Sequence, residues 1–161
     1  MTHKAIFLDR DGTINKLVNN EAPKIPHKLI ISNNNIKVLQ ELQKDYLLFI
    51  VSNQPDWAYG TNSLVNILQV VRKFKVIMKD NGIVFTGIYY CYHGRDENCI
   101  CRKPKTHWVD LAIKRFDIDC DHSWFIGDRD TDIECGMNAG LKTILIKDTD
   151  LSEVMKCINP K

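Results

Sequence analysis

A regular alternation of short apolar runs with longer amphipathic stretches, sustained along 161 residues, is the feature that most limits what this chain can fold into. Apolar runs fall at residues 5–8, 46–51, 85–91, 124–126 and 143–146. Between them, residues 34–44, 61–80, 106–116 and 131–139 carry apolar side chains at helical spacing, as Leu64, Ile67, Leu68 and Val71 do. Such a pattern predicts an α/β chain: a mainly parallel sheet whose crossover helices lie on both faces. A last short helix is expected over residues 152–158, ended by Asn159 and Pro160. Residues 18–31 contain Pro23 and Pro26 and no clear period, and they read as a loop that folds over a site. So little chain lies outside the five strand and helix units that residues 1–161 read as one domain without a separate lid.

Several function classes are disfavoured at this level. The formal charge of +2, from 22 Lys and Arg against 20 Asp and Glu, comes without a long run of one sign, so nucleic acid is not an expected partner. The longest unbroken apolar run, residues 46–51, is far below the roughly 20 needed to span a bilayer. Residues 1–8 hold one Lys and a brief apolar stretch that meets Asp9 at once, which does not fit a signal peptide. A cytoplasmic location and no membrane contact are the expectations.

Four polar segments stand where apolar strands leave the sheet, the edge at which such sheets bind ligands. The first is Asp9-Arg10-Asp11-Gly12-Thr13, with two carboxylates two residues apart. The second, Ser52-Asn53-Gln54, offers a hydroxyl and two amides. The third, Arg102-Lys103-Pro104-Lys105, brings cations suited to a transferred phosphoryl group. The fourth, Gly127-Asp128-Arg129-Asp130-Thr131-Asp132, is an acidic cluster that suits a hard cation such as magnesium. Each alone has a plainer explanation: turn chemistry, a polar loop, a solvated basic surface, or helix capping by Asp130 and Asp132.

Six cysteines are present, and three of them crowd beside one histidine. Cys91-Tyr92-His93, a gap of five residues, and Cys99-Ile100-Cys101 supply the Cys₃His set of a closed structural zinc site, with no ligand left for an open position. Cys120, Cys135 and Cys157 are scattered and read as buried thiols acting as small hydrophobes.

In this order the four segments resemble the haloacid dehalogenase superfamily of phosphatases, over almost the whole chain. The resemblance implies a Rossmann-like sheet with strand order 5-4-1-2-3. It implies that Asp9 is the nucleophile that forms an aspartyl-phosphate, and that Asp11 is general acid and then general base. It also implies magnesium held by the Asp9 carboxylate, the Asp11 main-chain carbonyl and Asp128, with Asp132 in support, while Ser52 and Lys103 bind and neutralise the phosphoryl oxygens. The zinc clip followed by Arg-Lys-Pro narrows the resemblance to the capless branch of heptose bisphosphate and histidinol-phosphate phosphatases. Asn53-Gln54-Pro55-Asp56 followed by Ala58-Tyr59-Gly60 looks more like the heptose branch, although Tyr59 replaces that branch's usual Arg. Arg10, Asn53 and Arg102 are the candidate substrate contacts. A monomer acting on a small phosphorylated metabolite is expected, the rivals being a catalytically silent binding domain and phosphoryl transfer to an acceptor other than water.

Overall fold

In the computed structural model, which describes residues 2–158, the five apolar runs form β1 (Ala5–Leu8), β2 (Leu47–Asn53), β3 (Gly87–Cys91), β4 (Trp124–Gly127) and β5 (Lys142–Leu145). All neighbouring pairs are parallel, in the order β3-β2-β1-β4-β5. This is the expected order read from the opposite edge. β1 lies in the middle, with Phe7 in register with Phe49 of β2 and Phe125 of β4.

Five helices connect and flank the strands: α1 (Asn33–Leu42), α2 (Leu64–Asp80), α3 (His107–Phe116), α4 (Asp130–Asn138) and α5 (Ser152–Ile158). Two start where a serine can satisfy a free amide. Ser32 Oγ accepts from Asn35 N at 3.1 Å and Ser63 Oγ from Asn66 N at 3.2 Å. The ending expected at Asn159 and Pro160 lies outside the described residues.

Alternate residues of β1 and β2 enter two different cores. Ile6, Leu8, Leu48 and Ile50 pack with side chains of α1, α2 and α5. Ala5, Phe7, Phe49 and Val51 pack against Val109 and Ala112 of α3 and Cys135 of α4. A sheet covered on both faces needs strands that are apolar throughout, and every residue of β1 is fully buried. Aromatic rings run across the second face: Phe125 lies 6.2 Å from Phe7, Phe7 4.9 Å from Phe49, and Phe49 6.5 Å from Tyr89, centroid to centroid.

Two local expectations need correction. On α2 the buried stripe is Ile67, Val70, Val71, Phe74 and Met78, whereas Leu64 and Leu68 are 41% and 50% exposed. The row through Leu64 and Leu68 runs on into Arg72 and Lys75, whereas the stripe that carries Phe74 stays apolar and faces the sheet. Of the scattered cysteines only Cys135 is buried; Cys120 is half-buried and Cys157 exposed. The segment 18–31 is the loop expected of it, with one 3₁₀ turn at Pro26–Lys28. Asn19 and Asn20 adopt φ of 52° and 62° in a tight turn between Val18 and Glu21, whose backbones bond each other in both directions. Asn62 Nδ2 and Lys73 Nζ donate to Lys24 O and Pro26 O, and so tie the segment to α2.

Candidate active site

Because β1 is central, the chain leaving it emerges between the ends of β2 and β4. Asp9 N donates to Ile126 O at 3.0 Å, continuing the β1–β4 pairing one residue beyond β1. The chain then turns at Gly12, whose φ of +85° and close approach to the Asp128 carboxylate both exclude a side chain. Gly127 does the same for Asp132, whose carboxylate lies where a Cβ on Gly127 would be. These two glycines let acidic groups from α4 and its entry fold back onto the β1 end.

Lys103 is the hub of the cluster. Its buried ammonium donates to Asp9 Oδ1 at 2.8 Å, Asp132 Oδ1 at 2.7 Å and Val51 O at 2.6 Å, which uses all three of its protons. Burial alone would lower its pKa, but Asp9 and Asp132 hold it well above the usual lysine range. Burial pushes Asp9 up to about 6 against the pull of Lys103. Asp128 is raised too, by burial and then by the nearby Asp132.

Asp9, Asp128 and Asp132 each bring a carboxylate oxygen within 4.8 Å of the others. Three carboxylates around one buried ammonium lack positive charge, and a divalent cation with oxygen ligands fits that deficit. Within the cluster Asp132 is already engaged. Its Oδ1 meets Lys103, and its Oδ2 accepts from Arg129 N at 3.1 Å, capping α4. Asp9 and Asp128 are therefore the carboxylates better placed to hold the ion, with Asp132 behind them.

The Asp11 carboxylate turns elsewhere. Oδ1 accepts from Arg10 Nε at 3.0 Å and Asn15 Nδ2 at 2.9 Å, while Oδ2 accepts from Arg10 Nη2 at 2.8 Å and from Gln54 Nε2. Burial would raise this carboxyl, but the Arg10 charge and these hydrogen bonds hold it below the usual range.

The clip residues also converge. Cys91 Sγ lies 3.6 Å from His93 Nδ1 and 3.7 Å from Cys99 Sγ, and Cys101 Sγ lies 3.4 Å from His93 Nδ1. Tetrahedral zinc sets its sulfur and nitrogen ligands roughly 3.5–3.8 Å apart, so the four side chains fit a structural zinc ion. Lys103 follows two residues after Cys101. Asn53 clasps its main chain, with Oδ1 accepting from Lys103 N at 3.1 Å and Nδ2 donating to Lys103 O at 3.2 Å.

An open cleft of about 1210 Å³ lies over these groups, reaching Asp9, Asp11, Asn53, Arg102 and Lys103, with Asn20 to Ala22 on one wall. Some expected substrate contacts are placed differently. Arg10 is 1% exposed and held between Asp11 and Gln54, so it faces the protein and not a ligand. Ser52 is 2% exposed, set back from the cleft, with its Oγ accepting from Gln54 Nε2 at 3.1 Å. The Asn53 amide, though in the cleft wall, is engaged by Lys103. Arg102 lines the cleft while donating to His93 O at 3.0 Å. Tyr59 also lines it, its hydroxyl accepting from Arg95 N at 2.8 Å. Sequence reasoning set Gln54 among the polar groups at the strand edge without a role of its own and assigned none to Asn15, Gly12 or Gly127. The two glycines and Gln54 carried a local signal at a strand end, and Asn15 carried none.

Comparison with known proteins agrees with this geometry. The Hydrolase_like family model (HAD-hyrolase-like) matches residues 100–153, the stretch that includes Lys103, Asp128 and Asp132. The D-glycero-beta-D-manno-heptose-1,7-bisphosphate 7-phosphatase of Pasteurella multocida is 39% identical over 152 residues, covering 89% of this chain and 82% of that protein. The histidine biosynthesis bifunctional protein HisB of Buchnera aphidicola is 33% identical over 92% of this chain but only 42% of its own length. Among solved structures, the D,D-heptose 1,7-bisphosphate phosphatase of B. bronchiseptica, complexed with magnesium and phosphate, superimposes with a TM-score of 0.79 at 25% identity. That match covers 98% of this chain and 87% of that one.

Proposed function

The chain belongs to the haloacid dehalogenase superfamily, in the family of the heptose-1,7-bisphosphate 7-phosphatases, and from that premise we propose that it hydrolyses the 7-phosphate of D-glycero-D-manno-heptose 1,7-bisphosphate. The observation that carries the phosphatase reading is the meeting of Asp9, Asp128 and Asp132 around Lys103 at one strand edge.

One Asp9 oxygen is held by Lys103, and the other makes no hydrogen bond among the described residues. This carboxylate attacks phosphorus and the bond to the sugar oxygen breaks; Asp11, which the Arg10 pair holds as an anion at rest, must first take up a proton from solvent to pass one to that oxygen. Asp11, now a carboxylate, takes a proton from water as the water oxygen attacks the phosphorus. The Asp9–phosphorus bond breaks and inorganic phosphate leaves. Lys103 acts on the phosphoryl group as a fixed charge beside Asp9, since its protons already have partners. The Asp9 and Asp128 carboxylates and the Asp11 main-chain carbonyl would hold a magnesium ion, which would supply the charge that lets an anionic nucleophile approach an anionic phosphate.

The histidinol-phosphate reading rests on the HisB likeness. It is the weaker one, because this chain spans under half of that two-function protein and most of the heptose phosphatase. The deciding experiment compares kcat/KM on the heptose bisphosphate and on histidinol phosphate with magnesium present. The heptose ester is expected to be preferred at least tenfold, and Asp9→Asn to abolish turnover on both. A preference for histidinol phosphate would overturn the substrate assignment, and an active Asp9→Asn variant would remove Asp9 as nucleophile.

The reading extends to one domain over residues 1–161, a monomer, and a cytoplasmic setting without nucleic-acid or membrane partners. All six cysteines are unpaired, which suits a reducing compartment, and no helix among the described residues is long and apolar enough to cross a membrane. Light scattering on the purified protein tests the monomer.

A further inference from the structure

We propose that Asn35, in the first turn of α1, is a positioning residue for the magnesium site, because it holds from behind the turn that carries the Asp11 main-chain carbonyl and touches Asp128. The proposal rests on the metal reading above.

Two of the three groups assigned to the ion depend on the turn that follows Asp11. One is the Asp11 carbonyl, at its start. The other is the Asp128 carboxylate, which lies against Gly12 and accepts from Thr13 Oγ1 at 3.4 Å. The turn's own bonds, from Ile14 N and Asn15 N to Arg10 O and from Gly12 N to Asn15 O, set its shape. Asn35 ties it to α1 and to the loop between β5 and α5. Its Nδ2 donates to Ile14 O at 3.0 Å and to Thr149 O at 2.8 Å, with Thr13 O at 3.5 Å beside them, and its Oδ1 accepts from Leu151 N at 3.0 Å. Both amide protons and the amide oxygen are used, which fixes the orientation of the side chain.

The loop at the other end of this tie is itself held in an uncommon shape. Asp148 and Thr149 adopt φ of 57° and 54°, a conformation disfavoured for residues with a side chain, and it persists where the surroundings fix it. Asn35 grips that loop on both sides of Asp150, and Asn34 Nδ2 donates to Asp150 Oδ1 at 2.9 Å. Asn35 is fully buried and stands outside the residues that line the cleft. A buried amide is costly unless its hydrogen bonds are made, and an apolar residue of similar shape would fill the space more cheaply. Here the amide holds in place groups that would meet the ion, without meeting it itself. Loss of such an outer partner costs on the order of 10–100-fold in metal affinity.

The test uses Asn35→Leu, which keeps the volume and removes the amide, in the full chain. The dissociation constant for magnesium alone is measured by titration calorimetry without substrate, beside thermal unfolding. The constant is expected to rise at least tenfold relative to the parent. A merely structural role lowers Tm and leaves the constant unmoved, and that outcome overturns the proposal. If Asn35→Leu does not fold, the parent supplies a second measurement, because coupling between two sites is reciprocal. Magnesium is then expected to slow hydrogen exchange at the Leu151 amide, which donates to Asn35, at least threefold more than at the Ile83 amide, which lies before β3 and donates to Met78 O. Equal slowing at the two amides overturns the proposal. A parent that binds no magnesium overturns the metal reading and this proposal with it, whereas a parent that binds the ion as tightly as Asn35→Leu does sinks only the positioning role.

Discussion

Gly12 adopts φ +85°, a conformation that costs an L residue about 1–2 kcal/mol, and any side chain there runs into the Asp128 carboxylate. Gly12→Ala is therefore expected to lower stability by about that amount and to displace Asp128, so that half-maximal activity requires more magnesium. A magnesium titration of turnover, read beside a urea melt, separates the two effects. Lys103 offers a second residue-level test. Replacing it with Met leaves Asp9 and Asp132 buried without their counter-charge, and breaking such a buried pair costs about 3–5 kcal/mol. Urea denaturation of Lys103→Met at neutral pH measures that loss, and a change below 1 kcal/mol would show that the carboxylates do not depend on it.

Between residue and molecule, two elements hold the site in shape. The aromatic row across β4, β1 and β2 fixes the spacing of the three strands whose ends carry Asp9, Ser52 and Asp128. Phe49 is fully buried within it, and Phe49→Ala is expected to cost about 3–5 kcal/mol in a denaturant titration. The clip between β3 and α3 is the other element. Cys99→Ser is expected to lose zinc by elemental analysis and to lower Tm by on the order of 5–10 °C, equivalent to about 2–3 kcal/mol. Because Lys103 follows Cys101 so closely, activity should fall with the metal. Full activity without zinc would detach the clip from the site.

For the molecule as a whole, acid stability follows from how charge is buried at the strand edge. Asp11 titrates below its unfolded value of 3.8 because the Arg10 charge and the hydrogen bonds of Arg10, Gln54 and Asn15 outweigh burial. The unfolded chain therefore binds a proton before the folded one does. The stabilisation from Asp11 is complete above pH 3.8 and is lost as the pH falls through the lower folded value. The stability gap between the parent and Asp11→Asn should accordingly be widest near neutrality and shrink below pH 3.8, as measured by urea melts across the acid range.

The sequence alone determined the parallel α/β architecture, the order of the four polar segments and the Cys₃His clip. Each depends on local information: apolar period, composition at a strand end, and the spacing of cysteines around one histidine. It also placed Asp9, Ser52 and Asp128 at the same edge, since parallel strands all point their carboxyl ends one way, whereas Lys103, twelve residues beyond β3, reaches that edge only through the fold of the clip. The tertiary structure decided which way side chains at that edge turn. Arg10 and Ser52, expected at the substrate, are drawn inward by Asp11 and Gln54, and Asn53 is taken up by the Lys103 main chain. On α2 the stripe that carries Phe74 packs against the sheet, and Leu64 and Leu68 are left exposed. Those outcomes hinge on partners tens of residues away in the chain, and a hydrogen bond or a packing contact chooses its partner only once folding has brought the candidates together.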